Sequence, residues 1–121
     1  MELASHLYDT IEREQRAFCA KQGVQHVASL PESRLGFAKS TKGKIPINGL
    51  RHPEKCETSG WYLWCGENYS EAADFFDALC AKHVYQDYPE IRKLLGLPAG
   101  YRFLLAENYC DVWYDAHLLN V

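Results

Sequence analysis

"GWYLWCGENYS", residues 60–70, is the stretch on which the fold turns. A strand with one wet face alternates apolar and polar side chains. This one does not: Trp61, Leu63 and Cys65 share one face, while Tyr62 and Trp64 share the other. The second face needs cover, from a helix, a loop or another protein. Gly66 and Glu67 then end the strand in a turn.

Downstream, Ser70 is placed to cap a helix over "EAADFFDALCAKHV", residues 71–84, with Glu71 and Asp74 in its first turn. Pro89 suits the first position of a shorter helix, "EIRKLL", which Gly96 stops. "YRFLLAE" (101–107) and "DVWYD" (111–115) read as strands around a turn at Asn108. Upstream, Ser5 to about Gly23 reads as an amphipathic helix. Leu7, Ile11 and Phe18 lie near one stripe, and Glu12, Arg13 and Arg16 face outward. Leu35 and Phe37 mark a short strand. Ile45 and Ile47 flank Pro46 in another; proline has no N–H to donate, which points to an edge strand or a bulge. "RHPEKCETSG" (51–60) is a polar connection. Strands and helices thus fall in blocks. The class is α+β, with a mainly antiparallel sheet of about four to five strands, an N-terminal helix and two further helices.

A chain of 121 residues suits one domain, residues 1–121, and 47% hydrophobic with 24% charged residues is enough apolar surface for a core. No run approaches the roughly 18 apolar residues of a membrane span, and "MELASHLYDTIERE" is too polar for a signal peptide. The five cysteines are an odd, widely spaced set without a CxxC pair, as for free thiols in a reducing compartment. A cytoplasmic protein is expected. Residues 1–53 carry eight basic and five acidic side chains, and residues 54–121 carry five basic and eleven acidic. The acidic second half argues against nucleic acid, whose phosphates require Lys and Arg, and suits a basic protein partner.

Reactive chemistry finds little purchase. "GFAKSTKGK" (36–44) has six residues between its glycines where a phosphate loop needs four, and Ile45 follows Lys44. His52, Cys56 and Cys65 lack a fourth zinc ligand at usable spacing. Cys65 as a nucleophile sits beside Glu67, whose charge raises a thiol's pKa, and on the core-facing side of its strand. Among Glu67, Glu107, Asp111 and Asp115, no spacing rule picks out an acid–base pair. The aromatic constellation carries more weight. Trp64 and Trp113, with Glu67, Asp111 and Asp115 beside them, have the composition of a protein-binding hot spot flanked by steering charges.

"SGWYLWCGE" (59–67) and "YPEIRKLLGLPAGYRFL" (88–104) resemble family thirty-three of the bacterial immunity proteins in polymorphic toxin systems. The likeness is carried by Gly60-Trp61, by Gly66 before Glu67, and by a helix leading to Pro98-x-Gly100 ahead of Phe103. Arg51 and Pro53 of "RHPE" match a basic-proline element upstream. It covers roughly residues 34–121, leaving 1–30 as an N-terminal helical segment without a counterpart. The resemblance implies a cytoplasmic α+β protein that binds and blocks a cognate toxin, without catalysis; no cofactor and no metal is expected. On the residues' own reading, Trp64, Glu67, Asp111, Trp113 and Asp115 form the partner-binding surface. Two rivals stay open: a small enzyme using a carboxylate pair or Cys65, and a homo-oligomeric structural domain, such as a homodimer, whose spare aromatic face closes on itself.

Overall fold

The computed structural model describes residues 4–56 and 58–120; Glu57 of the polar connection lies outside them. The chain forms two compact units, Met1–Ser33 with Cys80–Pro98, and Arg34–Leu79 with Ala99–Val121.

In the first unit, helix α1 spans Ser5–Gln22 and ends where Gly23 takes a left-handed φ of 73°. The N–H groups of Gly23 and Val24 then close onto the carbonyls of Ala20 and Cys19. Ser5 opens the helix without capping it, and Ala4 holds the cap position with no side-chain bond. The buried stripe runs through Ile11, Gln15 and Cys19, one residue every helical turn. A polar Gln15 in such a stripe needs partners. Its Nε2 donates to Tyr85 Oη and to the Arg92 carbonyl, each at 3.0 Å, and its Oε1 lies 2.9 Å from His26 Nε2. Tyr85 belongs to helix α2 (Ala81–Asp87), and Arg92 to a 3-10 helix over Pro89–Gly96 that starts, as expected, on Pro89.

The second unit is built on a six-stranded sheet: β1 (Arg34–Phe37), β2 (Ile47–Arg51), β3 (Thr58–Cys65), β4 (Asp77–Cys80), β5 (Tyr101–Ala106) and β6 (Tyr109–Tyr114), in the order β4-β1-β3-β2-β5-β6. β1 runs parallel to β3, while β2–β3, β2–β5 and β5–β6 are antiparallel. The α+β class therefore holds, with one strand more than expected. The two faces of β3 divide as its alternation requires. Trp61, Leu63 and Cys65 are buried on one side, where Trp61 meets Phe103 of β5 with ring centroids 5.6 Å apart. On the other side Trp64 and Leu50 pack with Ala38 and Leu118, and Phe75 and Phe76 close over them. The second face of the strand is thus covered by a loop and by the C-terminal 3-10 turn, Ala116–Leu119.

That cover explains the largest departure from expectation. No helix begins at Glu71; a loop runs through Phe76, β4 follows, and α2 starts only at Ala81. Successive helical residues point about 100° apart. Here Phe75 and Phe76 both turn onto one aromatic cluster: Phe76 contacts Tyr62 and Trp64 at 5.1 and 6.3 Å, and Phe75 contacts Tyr69 at 5.8 Å. Burying those rings outweighs a helix propensity of tenths of a kcal/mol per residue (about 0–0.7). Pro46 is corrected as well, for β2 is a central strand and Pro46 precedes it. Arg51, read as part of a polar connection, is the fully buried last residue of β2. Its Nε donates to the Ser59 carbonyl at 2.8 Å, and its guanidinium lies 5.5 Å from the Trp61 ring centroid.

Candidate docking surface

β5 and β6 form a hairpin closed by Glu107 and Asn108, the latter with a left-handed φ of 62°. Its register sets Arg102 opposite Trp113 and Leu104 opposite Asp111. Residues opposed in an antiparallel pair share a face, so Arg102, Leu104, Asp111 and Trp113 stand together. β6 is the last strand of the sheet, and all its residues but the half-buried Val112 are exposed.

The indole of Trp113 stays 38% exposed. Arg102 holds it, with the guanidinium carbon 5.7 Å from the ring centroid, a cation–π contact. Arg102 is fixed in turn by Asp115, with Nη1 and Oδ2 3.3 Å apart. The other carboxylate oxygen, Oδ1, accepts the His117 backbone N–H at 3.1 Å and lies 3.3 Å from His117 Nδ1. The His117 N–H, and then the Arg102 guanidinium, hold the Asp115 carboxyl below its ordinary value of 3.8. Arg102 Nε is buried without an acceptor among the described residues, so this cation keeps one donor spare. The exposed carboxylate of Asp111 extends the surface toward Tyr109, itself 57% exposed.

The five residues expected to form the site are therefore not equivalent. Asp111, Trp113 and Asp115 come together on one face of the hairpin. Glu67 is exposed but lies beyond Cys65, which the register aligns with Ile47, Leu105 and Cys110 at the other end of the sheet. Trp64 is 6% exposed and packs edge-on against Tyr69 at 5.1 Å, so its ring belongs to the interior. Arg102 and His117 lie outside the five residues expected to form the surface. Pairing "YRFLLA" with "YCDVWY" across a two-residue turn would have set Arg102 against Trp113 and revealed its role.

The sites weighed for chemistry fall elsewhere. Cys65 is buried, and its backbone N–H donates to Thr41 Oγ1, which leaves the thiol without the access a nucleophile needs. His52 Nδ1 is engaged 2.8 Å from the Leu118 carbonyl, pinning the C-terminal turn. Among the described residues no group of three His, Cys, Asp or Glu could hold a metal ion, and no helix is long and apolar enough to cross a membrane. A cleft of about 340 Å³ opens beside β1 and β3, where the register shifts between Arg34 and Gly36, and is floored by Trp61, Tyr62 and Phe76.

Comparison with known proteins places these features in a family. No curated protein and no solved structure matches the chain. The model of the Imm33-like domain matches residues 14–115, reaching back into α1, where no counterpart was expected. By that match, the chain belongs to the Imm33-like domain family.

Proposed function

We propose that this protein neutralises a toxin encoded beside it by binding the toxin directly, with the β5–β6 face as the docking surface. Family membership supports an immunity role. The observation that carries the choice of surface is Trp113, a part-exposed indole in contact with Arg102, which Asp115 pairs in turn, at the open side of the sheet. Exposed indoles pre-ordered by a neighbour lose little freedom on binding, which is why Trp dominates interface hot spots. Asp111, on the same face, attracts and orients a basic toxin surface. The protein acts in the cytoplasm by occlusion, as a binding protein and not as a catalyst.

The test is co-expression with the toxin domain of the neighbouring gene. Wild-type protein restores growth. Trp113→Ala and Asp111→Lys, both at exposed positions, lose protection while keeping the wild-type circular dichroism spectrum. Full protection by both folded variants would move the docking surface elsewhere.

A further inference from the structure

The register of β5–β6 also fixes which backbone groups of the edge strand are spoken for. The Asp115 N–H donates to the Gly100 carbonyl at 2.7 Å, and Asp115 stands opposite Gly100 in the same register that pairs Tyr101 with Tyr114. Hydrogen-bonded and non-bonded pairs alternate along an antiparallel ladder. Asp111 and Trp113 therefore point their N–H and C=O groups at β5, while Val112 and Tyr114 point theirs away from the sheet. Among the described residues, nothing takes the outward groups of Val112 and Tyr114.

Open edges are ordinarily guarded by shortness, by proline or lysine, or by a bulge that twists the strand away. β4, at the opposite edge, is only four residues long. β6 has six residues, no proline, lysine or arginine, and an unbroken register with β5. Its charged residue is Asp111, and Glu107 precedes it in the turn; neither makes an ion pair with a described residue. An unguarded edge carrying uncompensated negative charge selects a positively charged strand.

We infer that the partner docks by adding a strand to β6, through an extended segment whose Lys or Arg side chains face Asp111. This rests on the proposed docking at the β5–β6 face and specifies its mode. The added backbone bonds to Val112 and Tyr114. Its side chains alternate, basic ones beside Asp111 and Trp113 on one face and apolar ones beside Val112 and Tyr114 on the other. A second copy of this chain fits the edge poorly. Antiparallel pairing through the outward groups allows three central registers. Two of them set Asp111 directly opposite Asp111 or Asp115 of the other copy. The third, with Val112 opposite itself, puts Asp111 on the diagonal to both, about 7–8 Å away.

The probe is a capped peptide of alternating valine and lysine, titrated into the full-length, isotope-labelled protein. Amide signals of Val112, Trp113 and Tyr114 shift, and exchange of the Val112 and Tyr114 amides slows. Methylating the peptide's valine nitrogens, which removes its ladder donors, weakens binding by about tenfold or more. A valine–glutamate peptide does not bind. Val112→Pro removes only an outward N–H, so the fold survives while peptide affinity and toxin neutralisation both drop. Equal binding of the methylated peptide, or no shift in β6 at about 1 mM peptide, overturns strand addition. If folded Val112→Pro neutralises the toxin normally while Trp113→Ala fails, strand addition is wrong and side-chain docking on the same face stands. If Trp113→Ala also neutralises, the docking surface itself is wrong.

Discussion

Trp64 and Trp113 are the same residue type on exposed-or-buried alternating strands, yet their removal should have opposite consequences. Trp64 sits on a central strand under Leu50, Ala38, Leu118, Phe75 and Phe76. Truncating a buried indole costs the lost transfer energy plus the cavity left behind, about 3–5 kcal/mol. A small domain has roughly 5–15 kcal/mol in all. At about 3–5 °C per kcal/mol, Trp64→Ala should lower the melting temperature by about 9–25 °C. Trp113 gives up one cation–π contact and partial burial, so Trp113→Ala should cost about 1 kcal/mol. Urea denaturation followed by far-ultraviolet circular dichroism, which does not depend on either indole as reporter, gives both values. Equal losses, or a larger loss at Trp113, would refute the division of the two indoles into interior support and docking anchor.

Three further outcomes follow from single features. Gly60 has a φ of 89°, and a Cβ there would lie 2.0 Å from the His52 carbonyl oxygen, so Gly60→Ala should destabilise by about 2–3 kcal/mol or more in the same urea assay. An unchanged midpoint would contradict the strand geometry at that point. Gln15→Leu keeps the volume of the α1 stripe but strips hydrogen bonds from Tyr85, Arg92 and His26, and should cost about 1–3 kcal/mol, visible as a lower urea midpoint at unchanged slope. Asp115 has a carboxyl pKa held below 3.8, so its pairing with Arg102 contributes fully above that value and fades only as pH falls through the lower, folded-state one. Carboxyl carbon shifts across an acid titration should show a midpoint under 3.8 that rises toward it in Arg102→Met; a midpoint at or above 3.8 in the wild type would contradict the pairing.

What could be read from the sequence was local. The two faces of "WYLWC", the left-handed Gly23, Pro89 at a helix start and the final hairpin all follow from alternation and turn chemistry within a few residues. What could not be read depended on neighbours far along the chain. "EAADFFDALC" has helical spacing, and only the presence of Trp64 and Tyr62 beneath Phe75 and Phe76 makes a loop and an edge strand the better use of it. Arg51 looks solvated beside His52 and Pro53, and nothing local announces that the carbonyl of Ser59 and the ring of Trp61 will receive it. The proposed docking surface divides the same way. Asp111, Trp113 and Asp115 share one strand and its continuation, so alternation alone groups them. Trp64 and Glu67 belong to β3, whose central place in the strand order buries the one and carries the other to the far end of the sheet.

Amide hydrogen exchange of this protein alone and bound to the neighbouring toxin domain tests the central claim most directly. Slowed exchange concentrated in residues 109–115 is the expected footprint. Protection confined to other segments, with β6 exchanging as fast in the complex as outside it, would contradict docking on this hairpin.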